Sequence, residues 1–353
     1  MYVFLIVILV LAALMELLSL RGGAACTNAE LTLSVNRAEP GDPIEATVTA
    51  ANMGRLPVSY LCVKTSYPLC VSILEGVSAM NEQYVCTVSD VFRLWGRQQK
   101  THRMTFHIEK RGVHRVIAKE LLQGDFLGAR TITEQLTQRR DVLVYPRRLE
   151  NTALLEALGT DSGEASARRW LLRDPVLTLG VREYTGTEPM RTISWNQTAR
   201  RGELMVREFD YTRSLNCCVV LCVNGLDKEE ETLLDTCCSA VRTICEDLAG
   251  RGVETALFTN AALTGYGYGA FRSCVAAQGK MDDALEILAR AGMAACCTPE
   301  ELAEACLNQA SDAAAYVVIA PHRGTETQLA ADLLQARTGI EPLVIAADEL
   351  EVE

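Results

Sequence analysis

The stretch Cys217-Cys218-Val219-Val220-Leu221-Cys222-Val223-Asn224 decides the fold of the C-terminal part of the chain. Its first seven side chains are apolar, and such a run is typical of a parallel strand that is covered on both faces. After it, helical and strand-like patterns alternate. Helices are expected at 228–250, 281–291, 299–309 and 325–337, and further strands at 253–259, 315–320 and 342–346. This alternation predicts a doubly wound α/β domain over residues 214–353.

The fourteen cysteines of the chain are interpreted mainly as core residues. Cys237, Cys238 and Cys245 recur with apolar residues at steps of three or four along the expected helix 228–250, which is the pattern of a buried helix face. No two cysteines have the C-x-x-C spacing of zinc sites and redox motifs. So many unpatterned thiols indicate a reducing compartment, because an oxidising one would favour mispairing.

The sequence between residues 27 and 150 has a different pattern, with apolar and polar residues alternating in short runs between turns. Such runs occur at 58–64, 84–88, 103–108 and 114–120, among others. Strands at this spacing without intervening helices predict an antiparallel β-sandwich. No nucleophile is expected beside a base in this range. Its histidines, His102, His107 and His114, are interpreted as solvated strand residues rather than metal ligands, because their spacing fits no ligand set.

Residues 1–22 are expected to form a transmembrane anchor. Residues 1–20 contain one charged side chain, Glu16, and as a helix they would span about 30 Å. A cleaved signal peptide would begin with a basic region, which this sequence does not contain. Arg21 follows the apolar stretch, so the positive-inside rule places the rest of the chain in the cytoplasm. The alternative is an extracytoplasmic lipoprotein that is anchored at Cys26.

The charge of the chain is unevenly distributed and argues against binding to nucleic acid. The net charge is −11, and residues 214–353 contain 8 Lys and Arg against 22 Asp and Glu. An acidic chain with so few lysines is a poor general binder of a phosphate backbone. Because only one segment of the sequence is apolar over the length of a bilayer, a polytopic membrane protein is excluded as well.

The connecting segment, residues 151–213, contains a dense motif. It reads Arg182-Glu183-Tyr184, then Arg191-Thr192-Ile193-Ser194-Trp195, Ala199-Arg200 and Leu204-Met205-Val206-Arg207-Glu208-Phe209. This motif resembles the signature of the bacterial domain of unknown function 58 family. The upstream pieces Lys110-Arg111-Gly112 and Val144-Tyr145-Pro146 resemble other elements of that family, although position 114 is His where an aromatic residue is usual.

The resemblance implies an architecture and a partner. It implies a multi-domain α+β protein with a membrane anchor, a β-domain, the signature and a von Willebrand A-like α/β domain. It also implies association with a MoxR-type AAA+ ATPase in envelope-related assembly. Such a domain normally binds Mg²⁺ through D-x-S-x-S, but those positions fall on Cys222, Asn224 and Leu226. Cysteine is a soft ligand and leucine is none, so we expect no metal and no cofactor.

The signature residues leave two interpretations open. The residues concerned are Arg182, Tyr184, Arg191, Trp195, Arg200, Arg207 and Glu208. Guanidinium groups stack on aromatic rings and pair with carboxylates. The set could therefore form an internal clamp between two domains, or a docking surface for a partner that presents carboxylates. The sequence thus predicts a membrane-anchored, non-catalytic interaction protein. The alternative is a cysteine-dependent enzyme, which would need a thiol beside a histidine.

Overall fold

The computed structural model describes most of the chain. The described residues are 26–73, 79–81, 85–124, 130–150, 178–183, 193–209, 216–224, 226–227, 229–266, 269, 271–310 and 313–350, with the single positions 4, 6, 7 and 10. The chain divides into two compact units, Met1–Arg147 and Arg148–Glu353. The first unit is built from strands, and the second combines strands with helices, so the expected α+β composition is confirmed at this coarse level.

The first unit contains ten strands in two sheets. They are β1 (Thr27–Leu33), β2 (Arg37–Ala38), β3 (Ile44–Asn52), β4 (Val58–Pro68), β5 (Val71–Ile73), β6 (Ala79–Asn81), β7 (Val85–Leu94), β8 (Gln99–Ile108), β9 (Gly112–Gly124) and β10 (Thr131–Val144). One sheet has the order β1-β3-β8-β5 and the other β2-β10-β9-β4-β7-β6. All pairs are antiparallel except β2 with β10. The strands expected at 58–64 and 84–88 are confirmed but longer, and β10 was not expected.

Alternation of apolar residues builds the core of this unit. Along β3, for example, Ile44, Ala46, Val48 and Ala50 are buried, and the residues between them are partly exposed. One hydrophobic cluster takes its members from both sheets. Tyr67 of β4 and Phe106 of β8 meet across it in an edge-to-face contact, with ring centroids 5.4 Å apart. The two sheets therefore share a single core, as the period-two pattern predicts.

The second unit is organised around a five-stranded sheet. Its strands are β13 (Asn216–Leu221), β14 (Glu254–Thr259), β16 (Arg272–Ala276), β18 (Ala315–Ala320) and β19 (Leu343–Ala346). The order is β16-β14-β13-β18-β19, and β16 is the antiparallel member. Four helices accompany it: α2 (Glu231–Gly250), α3 (Asp282–Arg290), α4 (Pro299–Gln309) and α5 (Thr325–Thr338), followed at the end by a 3₁₀ helix (Ala347–Glu349). The expected alternation of strands and helices is confirmed.

The central strand β13 is buried on both faces, as its continuous apolar sequence predicts. Cys217, Val219 and Leu221 belong to one hydrophobic cluster, which includes the buried face of α2. Cys218 and Val220 belong to a second cluster, which includes residues of α4 and α5. All fourteen cysteines are free thiols, and nine of them are buried. The interpretation of the cysteines as core residues is therefore confirmed for the majority.

Three short strands between β14 and β18 were missed by the sequence patterns. They are β15 (Ala261–Leu263), the edge strand β16, and β17 (Ala291–Ala295), which pairs with β15. Met281–Ala291 was expected to be helical throughout, but the helix ends at Arg290 and β17 begins at Ala291. These strands have three to five residues and contain few β-branched residues, so local sequence contains little signal for them.

The signature segment contributes a two-stranded sheet and a short helix to the second unit. Strands β11 (Thr178–Glu183) and β12 (Met205–Phe209) pair antiparallel, and helix α1 (Trp195–Arg201) precedes β12. The backbone N–H of Ser194 donates to the carbonyl oxygen of Met205 at 2.8 Å. The hydroxyl of Thr198 accepts from the N–H of Met205 at 3.0 Å. These bonds fix the helix against the strand that follows it.

The expected anchor, residues 1–22, lies outside the described residues apart from four positions. Phe4, Ile6, Val7 and Val10 are helical and exposed. Within the described part of the chain, no helix has both the length and the apolar character needed to cross a bilayer.

Candidate functional site

The carboxyl ends of the parallel strands meet at one edge of the five-stranded sheet, which we call the carboxyl edge. Asn224 follows β13, Asn260 follows β14, and His322 follows β18. Doubly wound sheets bind their ligands at this edge, because the loops there converge. The positions Cys222 and Asn224, predicted as the remnant of a metal site, both lie here. The edge is therefore the first place to look for a binding site.

A network of side-chain amides occupies the carboxyl edge. Asn260 has no exposed surface. Its side-chain oxygen accepts from the N–H of Val223 at 2.7 Å, and its nitrogen donates to Asn224 Oδ1 at 2.8 Å and to the carbonyl oxygen of Cys297 at 2.9 Å. Asn224 in turn donates to Glu326 Oε2 at 2.6 Å. The side-chain oxygens of Asn224 and Asn260 thus each accept an N–H donor.

Cys222 is unsuited to bind a cation. It is buried in the cluster that contains Val220 and Leu302. Burial, with smaller contributions from Cys297 and Glu300, raises the pKa of the Cys222 thiol to about 12. The group is therefore protonated at neutral pH in the metal-free protein, and sulfur is a soft ligand that does not suit a hard cation such as Mg²⁺. Among the residues that the structure describes, no group of three or more His, Cys, Asp or Glu side chains is arranged to hold a metal ion.

The last position of the degenerate motif, Leu226, and the acidic residue that follows it are also used structurally. Leu226 packs against the hydrophobic cluster of α2. Asp227, the nearest acidic residue, donates its backbone N–H to Glu230 Oε2 at 3.0 Å, which shapes the turn before α2. The loop after β13 therefore has a structural role at these positions, because it packs against the cluster of α2 and shapes the turn that begins this helix.

His322 forms a bridge at the same edge that the sequence patterns did not reveal. Its Nδ1 lies 2.8 Å from Asp348 Oδ2, and its Nε2 lies 3.3 Å from Glu230 Oε1. The hydrogen bond to Asp348 is the main reason that the pKa of His322 is raised, and Glu230 acts in the same direction. The bridge connects the start of α2 with the 3₁₀ helix after β19. Its members are 26 or more residues apart in the sequence, so no local motif could have revealed it.

Two of the signature residues are described with their side chains, and both are exposed. Trp195 begins α1 with 62% of its surface exposed, and Arg200 is exposed near the end of that helix. Tyr184 and Arg191 lie outside the described residues. Arg182, Arg207 and Glu208 are described by their backbone, in which β11 and β12 place Arg182 opposite Val206 and Glu208 opposite Gly180.

The first unit contains a pairing of cysteine and histidine that corrects two expectations. His114 is buried, not solvated, and its Nδ1 lies 3.3 Å from the sulfur of Cys70. Its Nε2 lies 2.7 Å from the carbonyl oxygen of Lys110. The expectation that residues 27–150 bring no nucleophile beside a base is wrong, because the turn between β4 and β5 places Cys70 beside His114 of β9. The signal available in the sequence was the unusual His at position 114.

The hydrogen bonds fix the tautomer of His114. A carbonyl oxygen only accepts, so Nε2 must donate to Lys110 and Nδ1 is left as the acceptor for the thiol of Cys70. Burial is the main cause that lowers the pKa of His114. Burial therefore favours the neutral form of the imidazole of His114. His102 and His107 take other partners, Asp90 and the carbonyl oxygen of Gly41.

Comparison with solved structures indicates little. A cohesin module of a family 33 glycoside hydrolase from Clostridium perfringens is 13% identical, with 34% of this chain and 96% of that chain covered and a TM-score of 0.26. A non-cellulosomal cohesin from Archaeoglobus fulgidus is 14% identical, with 33% and 91% covered and a TM-score of 0.25. Likenesses at this level say nothing about function.

Comparison of sequences supports the resemblance of the signature segment to a known family. Residues 180–231 match the family model described as "Protein of unknown function DUF58". The uncharacterized protein YeaD of Bacillus subtilis (strain 168) is 24% identical over 215 residues, which cover 61% of this chain and 52% of the relative. The chain thus spans about half the length of the curated relative that it matches. The resemblance predicted from the signature is confirmed: residues 180–231 are similar to the DUF58 family, and a distant curated relative is similar over a longer stretch.

Proposed function

We propose that this protein is a non-catalytic interaction protein whose second unit presents a docking surface to a protein partner. The observation that carries the proposal is that the polar side chains at the carboxyl edge already have partners within the protein. Asn260 and Asn224 use their amides on each other and on the surrounding backbone, and Cys222 is a buried, protonated thiol. An edge closed in this way supports the fold of the loops rather than chemistry on a bound substrate.

The second unit is proposed to be a von Willebrand A-like domain without a working metal site. Four parallel strands, one antiparallel edge strand and helices in the clusters on both faces of β13 support this assignment. The replacement of the expected Asp by Cys222 supports the loss of Mg²⁺, because a hard cation needs several oxygen ligands. Binding of a partner would then depend on side chains elsewhere on the unit.

The signature residues are proposed as that docking surface. Trp195 and Arg200 are exposed on α1, and Trp and Arg are enriched among residues that dominate the affinity of protein interfaces. A clamp would require Trp195 to be buried, so its exposure favours the docking alternative. The family resemblance implies a MoxR-type AAA+ ATPase as the partner, and it further implies a role in envelope-related assembly.

Membrane anchoring through residues 1–20 and a cytoplasmic location complete the proposal. The exposed, helical positions Phe4, Ile6, Val7 and Val10 support the anchor, since apolar side chains in such numbers are costly in water. The fourteen free thiols support a reducing compartment. The alternative, a lipoprotein anchored at Cys26, predicts a cleaved and lipidated N-terminus, which mass spectrometry of the mature chain would detect.

Crosslinking and pull-down from native membranes test the docking proposal. The full chain is expected to recover an AAA+ ATPase, and Trp195→Ala and Arg200→Lys are expected to lose it. Leu329→Ala is the matched control, because Leu329 is also an exposed apolar residue of the second unit but lies on α5. Recovery of no ATPase by the parent chain, or equal recovery by all variants, would refute the proposal.

The pair of Cys70 and His114 supports a second candidate function, a cysteine-dependent enzyme. A thiol that donates to an oriented, neutral imidazole can transfer its proton to Nδ1 as the sulfur bonds to an electrophile. The rate of alkylation of Cys70 by iodoacetamide tests this role. An enzyme requires faster alkylation at pH 7 than at the partly exposed Cys26, and a loss of that advantage in His114→Gln. Equal rates at the two cysteines would exclude it.

A further inference from the structure

Two loops at one end of the first unit repeat the same short pattern. The loop from β3 to β4 begins Met53-Gly54-Arg55, and the loop from β7 to β8 begins Trp95-Gly96-Arg97. Each therefore places an apolar residue, a glycine and an arginine in succession. Neither loop contains an acidic residue. We call residues 53–57 and 95–98 the paired loops.

Buried polar contacts hold the paired loops together. The side chain of Asn52, which is buried, donates to the carbonyl oxygens of Leu56 at 2.7 Å and of Trp95 at 3.1 Å. The N–H of Arg97 donates to the carbonyl oxygen of Gly54 at 2.8 Å. Gly96 lies so close to Arg55 that a Cβ there would overlap its carbonyl oxygen. The two loops therefore form one rigid structure.

This rigid structure exposes two large apolar side chains to solvent. Met53 is 72% exposed and Trp95 is 70% exposed. Arg55 and Arg97 are exposed next to them in the sequence. A fixed backbone keeps the attachment points of these side chains at the surface, and exposed apolar groups beside basic ones are typical of a binding surface. A surface of this composition is suited to lipid headgroups. Trp prefers the membrane interface, and Arg forms bidentate hydrogen bonds with phosphate.

The paired loops also lie where the chain leaves the proposed anchor. The N–H of Met53 donates to the carbonyl oxygen of Cys26 at 2.8 Å. Residues 21–25 separate Cys26 from the apolar residues 1–20, and five residues span at most about 18 Å. If residues 1–20 cross a bilayer, the paired loops must therefore lie within about 20 Å of its surface.

We propose that the paired loops rest on the bilayer, with Trp95 and Met53 among the lipid headgroups and Arg55 and Arg97 on anionic phosphates. The inference rests on the proposed membrane anchoring by residues 1–20. It adds a second contact, which fixes the orientation of the first unit relative to the membrane. Each arginine near an anionic surface adds to the attraction between the first unit and the membrane.

Quenching of tryptophan fluorescence by brominated lipids tests this contact. In the full chain with Trp170→Phe and Trp195→Phe, Trp95 is the remaining tryptophan. The chain is reconstituted into vesicles of phosphatidylcholine and phosphatidylglycerol, with bromine on the acyl chains near the headgroup. These vesicles are expected to reduce the fluorescence of Trp95 at least twofold relative to vesicles of unbrominated lipid.

A tryptophan at the opposite end of the same unit is the matched control. Leu69 is exposed at the turn after β4, whose other end, Val58, pairs with Leu94 next to the paired loops. The eleven residues of β4 separate the two positions by about 36 Å. Leu69→Trp, in a chain whose native tryptophans are all Phe, is expected to keep its fluorescence. Equal quenching at positions 95 and 69 would overturn the inference.

Flotation of the same vesicles separates this inference from the proposed anchoring. A full chain that does not float with vesicles refutes anchoring by residues 1–20, and the inference with it. If the chain floats but Trp95 is not quenched, the anchoring by residues 1–20 is supported and only the proposed lipid contact of the paired loops is overturned. Shielding of Trp95 only when a protein partner is added would likewise overturn it. In the double variant Arg55→Gln, Arg97→Gln, brominated anionic vesicles are expected to quench the fluorescence of Trp95 less than in the parent chain. Equal quenching in the variant and the parent would contradict the proposed phosphate contacts.

Discussion

Asn260 donates a hydrogen bond from its side-chain nitrogen to the side-chain oxygen of Asn224, 2.8 Å away, at the carboxyl edge of the five-stranded sheet. A second donor hydrogen of the same nitrogen goes to the carbonyl oxygen of Cys297. The amide of Asn260 thereby connects the loop after β13 with the segment that precedes α4. This buried amide therefore holds the two loops in place.

Asn260→Ala should therefore destabilise the second unit strongly. The substitution leaves the buried N–H of Val223 and the oxygens of Asn224 and Cys297 without their partner. Buried groups left unsatisfied cost about 1–3 kcal/mol each, so a loss of at least 3 kcal/mol is expected. Denaturant unfolding measures it. Gln328→Ala, which removes an exposed amide from α5, should change the free energy of unfolding by less than about 0.5 kcal/mol.

Mg²⁺ and EDTA should both leave the melting temperature unchanged. A cation bound tightly to the native state would add RT ln(1 + [L]/Kd), about 2.7 kcal/mol at a hundredfold excess over Kd. The carboxyl edge offers a protonated thiol at Cys222 and amide oxygens that already accept hydrogen bonds. Thermal scans with matched ionic strength in NaCl provide the control. A rise specific to Mg²⁺ and abolished by Asp227→Asn would contradict this expectation.

The bridge at His322 should make stability depend on pH. Because the hydrogen bond to Asp348 raises the pKa of His322 in the folded state, the stabilisation is fully present below the pKa of the unfolded chain. It is lost as pH rises through the folded pKa. His322 is partly exposed, so the contribution should stay below about 1 kcal/mol.

His322→Gln is the variant that tests this dependence. The difference in unfolding free energy between parent and variant should be larger at pH 5.5 than at pH 8.5, since titrations of all other groups cancel in the comparison. Asp348→Asn should reduce the same difference. An equal difference at the two pH values would show that the bridge does not couple protonation to folding.

The parts of the fold that the sequence predicted are those specified by local chemistry. Helix α4 was expected at its observed bounds. Thr298 accepts from the N–H of Glu301, the side chain of Glu301 accepts from the N–H of Thr298, and Pro299 begins the helix. All three signals lie within four residues. The strand β13 was equally clear, because an apolar run of its length has few other solutions in a soluble domain.

The features that escaped prediction depend on pairing between distant residues. Cys70 and His114 are 44 residues apart, and their contact exists only because the turn before β5 meets β9 in the folded unit. The edge strand β16 is held by its register with β14 rather than by its own composition. The role of Asn260 likewise depends on Asn224, which lies 36 residues away. A single sequence shows which residues are present, but it does not show which distant residues lie close together in the folded protein.

Trp195→Ala should leave the stability of the protein nearly unchanged. The side chain is 62% exposed, and exposed substitutions usually change the free energy of unfolding by less than about 0.5 kcal/mol. A buried tryptophan in a clamp would cost about 3–5 kcal/mol. Met205→Ala is the control from the same segment. Met205 is buried, so its loss should cost about 2–5 kcal/mol. A large loss of unfolding free energy for Trp195→Ala would favour the interpretation of the signature as an interdomain clamp.

Gly96→Ala should separate the paired loops of the first unit. The added Cβ would overlap the carbonyl oxygen of Arg55, and backbone cannot move aside as a flexible side chain can. Overpacking of this kind typically costs about 1–3 kcal/mol. The shift should also break the hydrogen bond from Arg97 to Gly54. Denaturant unfolding and hydrogen exchange at the N–H of Arg97 measure the two effects.

Gly250→Ala is the matched control for this substitution. A Cβ at Gly250, in the last turn of α2, would meet no atom within 4 Å. Alanine in a helix is favoured over glycine by about 1 kcal/mol, so this variant should be as stable as the parent or more so. If Gly96→Ala proved equally harmless and the N–H of Arg97 stayed protected from exchange, the loops would not be locked by their close approach. Exposure of Met53 and Trp95 would then no longer be imposed by a rigid backbone, since loops free to move apart can fold these side chains inward.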